Sequence, residues 1–278
     1  MSFPLEISPD VEFLRDVKYG VAGGHPLLAD LAKPRDAGNS PLPAIVYFHG
    51  GAWQSGSKSD GIPAICFLAQ HGFVAVSVGY RLSGEARFPA QIEDCKCAVR
   101  FLRTHAKEYG IDPDRIGAMG VSSGAHLAIL LGLTGDGPQF ANRGGWEEAS
   151  SRVSAVCDLF APTDFLRMPA KHLPDAMSAT ARFLGGGIDE VMDRYIAASP
   201  VNYVHPSAPP FLIVHGELDP LVPILQSELL RHALENAGAD VTFHVVTGAG
   251  HGSREVITPA VRDLIVSFFD KHLRRQRT

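Results

Sequence analysis

The sequence predicts an α/β fold built on a mostly parallel twisted sheet, with helices on both faces. Three observations carry that expectation. Short β-rich runs alternate with helical patterns along the chain, the order that builds a parallel sheet through right-handed crossovers. Several of the runs are apolar almost throughout, as strands buried on both faces are. A length of 278 residues with 45% hydrophobic and 20% charged residues suits one globular domain, here taken as 1–278.

The elements follow in order. Residues 11–33, "VEFLRDVKYGVAGGHPLLADLAK", read as two strands around a Gly-Gly turn, an antiparallel pair at the start of the sheet. "AIVYFHGG" (Ala44–Gly51) and "FVAVSVGY" (Phe73–Tyr80) are the next strands. In "QIEDCKCAVRFLRTHAKEYG" the residues Ile92, Cys95, Val99 and Leu102 share one helical face, and Gly110 marks the stop. "RIGAMGVS" (Arg115–Ser122) is a strand that runs into the helical "AHLAILLGL". "VSAVCDLF" (Val153–Phe160), "FLIVHGE" (Phe211–Glu217) and "VTFHVVTG" (Val241–Gly248) complete about eight strands. "ILQSELLRHALENAG" and "PAVRDLIVSFFDKHLRR" supply further amphipathic helices. Two segments break the alternation. Thr134–Ser151 is a Gly-rich loop, and residues 165–200 form an insertion of short helices broken by Pro and Gly. Both read as excursions at one end of the sheet, the second as a small lid.

Composition excludes several classes. A net charge of −5 gives no basic field for nucleic acid. Apolar runs fall short of the ~20 residues a membrane span needs. The opening "MSFPLEISPDVEF" has no basic region leading into an apolar one, so the expected location is cytoplasmic. Cys66, Cys95, Cys97 and Cys157 are too sparse for a disulfide scaffold and read as small apolar residues, with no metal expected.

The chemistry centres on "GVSSG". The pattern G-x-S-x-G fits one register only, with Gly120, Ser122 and Gly124; centring on Ser123 would need glycines at Val121 and Ala125. A strand precedes the serine and a helix follows, the context in which a strained turn lifts a hydroxyl clear of a sheet. The competing reading is a plain serine N-cap. A serine hydroxyl needs a base, and the base needs an orienting carboxylate. Asp219 lies just past the strand in "FLIVHGELDPLVP", and His251 past the last strand in "VTFHVVTGAGHG". Glu217, Asp158 and Asp164 are rival acids. His49 and His215, before glycines at strand ends, read as backbone-orienting residues, and His126 as packed. An oxyanion needs preorganised donors, and "FHGGAW" offers a glycine turn straight after a strand. The expected donors are the backbone N–H groups of Gly51, Ala52 and Ser123. Trp53 beside them has two readings, a substrate contact or a packed aromatic.

Together, "HGGAW", "YRLSGEARFPAQIEDCKCAVRFLR", "YGIDPDRIGAMGVSSGAHLA", "SSRVSAVCDLFAPTDF", "PPFLIVHGELDPLVP" and "GAGHG" resemble the α/β-hydrolase superfamily. Within it the chain is similar to the hormone-sensitive-lipase-related esterases, above all the bifunctional acetylxylan and feruloyl esterases. The resemblance implies an α/β-hydrolase fold and a triad of Ser122, Asp219 and His251. It also implies a serine carboxylesterase that needs no cofactor, acting on short-acyl or hydroxycinnamoyl esters. Ala52 stands where a third glycine is usual and Ser123 where alanine is usual; a backbone N–H survives both changes. The "HGG-x-W" form is also similar to kynurenine formamidases, which makes arylformamide hydrolysis by the same three residues the second reading. A catalytically silent binding module is the third, and the presence of all three triad candidates argues against it.

Overall fold

The computed structural model describes residues 7–38, 40–141, 143–168 and 174–274. Its eight strands form one sheet. They are β1 (Val11–Ala22), β2 (His25–Pro34), β3 (Leu42–Phe48), β4 (Val74–Val78), β5 (Ile111–Val121), β6 (Ala155–Leu159), β7 (Phe211–Gly216) and β8 (Val241–Val246), in the order β1-β2-β4-β3-β5-β6-β7-β8. β1 and β2 pair antiparallel around Gly23–Gly24, both at positive φ, and β2 pairs antiparallel with β4. Every other pairing is parallel. The expected architecture, an α/β-hydrolase fold with an antiparallel start, is therefore the observed one.

Nine helices among the described residues connect the strands: α1 (Ile62–Gln70), α2 (Ala90–Thr104), α3 (Ala106–Tyr109), α4 (Ser123–Thr134), α5 (Pro174–Leu184), α6 (Ile188–Ala198), α7 (Leu225–Asn236), α8 (Ser253–Val256) and α9 (Pro259–Leu273). Alternation along β3 decides which face each side chain feeds. Ala44, Val46 and Phe48 enter a core with α2, α4 and α7; Ile45 and Tyr47 enter the core with α1 and α9. The central strands β3, β4, β6 and β7 are buried almost throughout, which is why they read as continuous apolar runs.

One expectation is corrected. The two excursions do not share an end of the sheet. Residues 134–151 leave the far end of α4 and wrap across α2 to β1. There Gly144 O accepts from Val21 N (3.0 Å) and the Trp146 indole donates to Tyr19 O (2.8 Å). Lys96 and Arg100 on α2 are fully buried and donate to carbonyls of this loop, at Phe140, Arg143 and Gly145. The 165–200 insertion instead leaves the carboxyl end of β6 and contributes α5 and α6; its residues 169–173 lie outside the described ones.

The site depends on α4 touching the backbone of β3. A Cβ built on Gly124 would lie 2.1 Å from Phe48 O and 2.4 Å from His49 O. Neither atom can yield, because each belongs to the strand's own end. Gly124→Ala is expected to destabilise the fold by about 3 kcal/mol, the upper range for overpacking, and to lower Tm by roughly 5 °C. Thermal denaturation of the variant checks this; an unchanged Tm would show that α4 can slide off β3.

Candidate active site

Ser122 sits where β5 turns into α4, with φ 52° and ψ −121°. This is the left-handed side of backbone space, costly for a residue with a Cβ. The turn is held from outside: Ser122 N donates to Leu159 O (2.9 Å), and Ser122 O accepts from His126 N (3.0 Å). Although Ser122 occupies the N-cap position of α4, its side chain makes no capping bond. Its Oγ instead lies 3.0 Å from His251 Nε2. The N-cap reading therefore does not describe this residue.

His251 comes from the loop after β8. Its Nδ1–H donates to Asp219 Oδ2 at 2.6 Å, and its ring packs edge-on to Phe160 with centroids 4.9 Å apart. Asp219 comes from the loop after β7. Its Oδ1 accepts from the N–H groups of Leu221 and Val222, both at 2.8 Å. Burial alone would raise the Asp219 pKa. Hydrogen bonds from His215 and His251, and from Val222 N–H, outweigh it and hold the carboxyl well below the usual carboxylate range. Leu218 N–H to Ala249 O (2.8 Å) ties the two loops together.

The rival acids are engaged elsewhere. Glu217 accepts from Gly248 N, and Asp164 from Leu166 N and Arg167 N. Asp158 is buried on β6 and accepts from Ala161 N (3.0 Å); burial pushes its pKa up to about 7.

His215 corrects a second expectation. It does not merely orient backbone. Its ring is fully buried, with Nε2 2.8 Å from Val222 O and 3.2 Å from Asp219 Oδ2, and Nδ1 2.7 Å from Ser227 Oγ. A histidine four residues before the acid, at the end of the same strand, was the available signal. His126 is packed as expected, and His49 contacts Gly50 O (2.7 Å) and stacks on Tyr80.

Two of the three expected oxyanion donors, Ala52 and Ser123, lie with Ser122 at the wall of one cavity, and Gly51 does not. The Ser123 N–H belongs to the first turn of α4, where such groups have no intrahelical partner. Gly51 makes the turn beside it: φ is 119°, and its carbonyl accepts from Gln54 N and Ser55 N, both at 3.1 Å. Trp53 is a packed aromatic, and it also stands where a substrate contact would lie. It is only 4% exposed, yet it forms part of the cavity wall.

That cavity has a volume of about 50 Å³. Its other walls are Pro162, Phe165 and Met168 after β6, Ala179 and Thr180 on α5, and Leu221 and Val222 beside Asp219. None of these was identifiable from the sequence, because loops that meet only in the fold bring them together. Chemically, the arrangement is a hydroxyl on an imidazole, an imidazole on an ionised carboxylate, and backbone donors beside a small apolar chamber. Among the described residues no group of His, Cys, Asp and Glu could hold a metal ion. No helix among them is long and apolar enough to cross a membrane.

Comparisons with known proteins bear on the same segments. A family model described as BD-FAE matches residues 29–234. Esterase LipQ of Mycobacterium tuberculosis is 34% identical over 245 residues, covering 85% of this chain and 56% of that protein. The chain thus spans about half the length of the curated relatives it matches. Among solved structures, a truncated carbohydrate esterase from gut microbiota aligns with a TM-score of 0.82 at 29% identity, covering 97% of this chain and 99% of that one. A thermophilic esterase of Thermogutta terrifontis with butyrate bound aligns at 0.79 and 27% identity, over 95% and 94% of the two chains.

Proposed function

The chain belongs to the BD-FAE family, and from that premise we propose that it is a serine carboxylesterase that cleaves esters of short acyl groups. One observation carries the reading. Ser122, His251 and Asp219, from three separate loops at one sheet edge, stand in a single hydrogen-bonded line of 3.0 and 2.6 Å.

In the proposed reaction Ser122 Oγ attacks the ester carbonyl while His251 Nε2 takes its proton. Asp219 fixes the His251 tautomer and stabilises the imidazolium. The N–H of Ala52, on the turn made by Gly51, and that of Ser123, at the start of α4, receive the developing oxyanion. The C–O bond to the alcohol breaks as His251 protonates the departing oxygen. A water, deprotonated by His251, then adds to the acyl-enzyme, and the acid leaves as the Ser122 proton is restored.

The acyl preference rests on size. A site of about 50 Å³ is several times the roughly 10–15 Å³ that one water requires, so it takes an acyl group of a few heavy atoms. The similar Thermogutta terrifontis esterase was solved with butyrate bound, which supports a short acyl group. The likeness to LipQ and to the gut carbohydrate esterase supports ester hydrolysis and admits a sugar as the alcohol. The experiment is a panel of p-nitrophenyl esters from acetyl to octanoyl, with methyl ferulate, acetylated xylan and N-formylkynurenine beside it. The expected result is a kcat/KM maximum between acetyl and butyryl that falls about tenfold or more by octanoyl, because forcing a longer chain into a small chamber costs about 1–3 kcal/mol. Faster turnover of methyl ferulate than of the acetyl ester overturns the acyl assignment. N-formylkynurenine as the best substrate overturns the ester reading.

A further inference from the structure

Among the segments that build the site are the turn that heads α4, the loop after β3, and the insertion that ends with α6. His126, a side chain of the first, bonds to both of the others. His126 lies on the first turn of α4, fully buried. Its Nδ1 accepts from the Trp53 Nε1–H at 3.2 Å, and its Nε2 lies 2.7 Å from Ala198 O at the end of α6. A donor on one side and an acceptor on the other leave a single neutral tautomer, bare at Nδ1 and protonated at Nε2. Burial pushes the pKa of the ring down to about 4, which keeps that tautomer in place at neutral pH.

The loop that His126 grips is strained. Ala52 and Trp53 are successive residues with side chains, and both lie in the left-handed region, at φ 52° and 58°. Such conformations persist only where the surroundings over-determine them. The Trp53 carbonyl accepts from Ser83 N (2.7 Å), and its ring stacks on Phe183 with centroids 4.3 Å apart and 9° between planes. Stacking fixes the plane of the indole but leaves it free to slide. Phe165 packs against it at a tilt, with centroids 5.7 Å apart, and the bond from its N–H to His126 is a directional contact that sets where along the stack it rests.

Building on the esterase reading, we propose that His126 is a positioning residue for the oxyanion-binding loop. Its bond to Trp53 holds the left-handed Ala52–Trp53 turn at the cavity wall beside Ser122. Its bond to Ala198 O ties that turn to the insertion whose α5 walls the acyl cavity. His126 touches no reacting atom. Its influence passes through Ala52 to charge that exists only in the transition state, so its loss falls on kcat and not on KM.

The test compares His126→Leu, His126→Asn, Trp53→Phe and the double variant Trp53→Phe/His126→Leu. Trp53→Phe keeps an aromatic ring on Phe183 and deletes the donor; His126→Asn keeps an acceptor for the indole. The readouts are kcat and KM for p-nitrophenyl acetate and the rate at which a fluorophosphonate labels Ser122, followed by intact mass. His126→Leu and Trp53→Phe are each expected to lower kcat by about 10- to 100-fold with KM within about threefold. That is part of the ~10²–10³-fold cost of removing an oxyanion donor outright. The double variant is expected to be no worse than His126→Leu, since both changes break one bond, and His126→Asn to recover part of the loss. Losses that multiply in the double variant, or a lowered Tm with unchanged kcat and labelling, overturn the inference. Where His126→Leu fails to fold, Trp53→Phe and His126→Asn decide it. Wild-type protein that neither hydrolyses the ester nor takes the label overturns the esterase reading itself, and this inference with it; active wild type with unaffected variants overturns this inference alone.

Discussion

Ser122→Ala is expected to lower kcat for p-nitrophenyl acetate by about 10⁵–10⁶-fold, the scale of removing a serine nucleophile outright. The fold should survive the change. The Ser122 hydroxyl caps no helix, and alanine meets the same backbone strain at φ 52° that serine already bears. Tm is therefore expected to stay within roughly 2 °C of wild type, a shift that corresponds to about 1 kcal/mol in a chain of this size. The informative partner is Ser123→Ala. The Ser123 hydroxyl is buried beside the Tyr80 hydroxyl and makes no hydrogen bond to His251. Its backbone N–H survives the substitution, so a loss below about tenfold is expected, well short of a deleted oxyanion donor. Steady-state kinetics and fluorophosphonate labelling of both variants settle the assignment. A reversed order, with Ser123→Ala inactive and Ser122→Ala active, would move the nucleophile by one residue and overturn the register argument.

The register of that serine pair was legible because it rests on backbone requirements. Gly120 and Gly124 lie where a Cβ would strike backbone atoms, 2.4 Å from Gly124 C and 2.1 Å from Phe48 O. A steric demand of that kind leaves a fixed mark in the sequence. Asp219 and His251 were legible for a related reason: each follows a strand whose apolar run announces where the sheet edge falls. The path of residues 134–151 was not legible. α2 presents Lys96 and Arg100 on the side that reads as solvent-facing, yet both are buried. They are satisfied by the carbonyls of Phe140, Arg143 and Gly145, and a carbonyl carries no residue-type signature. The link from His215 to Asp219 was hidden for the opposite reason. With twelve histidines in the chain, a lone one at a strand end does not announce its partner. The cavity walls were hidden as well, because α5 meets the loops after β3, β6 and β7 only once the sheet has ordered them.

Asp219→Asn is expected to lower kcat by about 10³–10⁴-fold, the cost of presenting His251 with an amide that cannot hold the imidazolium. Asp158→Asn is the control. It keeps an oxygen for Ala161 N, and below about pH 6 it replaces a carboxyl that burial already holds largely protonated, so there kcat is expected to stay within about tenfold. The two carboxyls also leave opposite marks on stability. Asp219 has a native pKa below its ordinary 3.8, so across that window the unfolded chain binds more protons than the native one. Its contribution is full above the ordinary pKa and is lost as pH falls towards the native value. Asp158 runs from 3.8 unfolded to about 7 in the fold, so there the native state binds more protons. Its stabilising share is full at low pH and is lost as pH rises through about 7. Wild type should therefore exceed Asp219→Asn in Tm by a margin that is constant at neutral pH and shrinks on acidification below pH 4. Asp158→Asn should gain on wild type between pH 4 and 7 and hold its gain above. Melting curves of the three proteins across that range, paired with kcat at each pH, separate the acid that serves His251 from the acid that is only buried. An active Asp219→Asn beside an inactive Asp158→Asn would hand the role to β6.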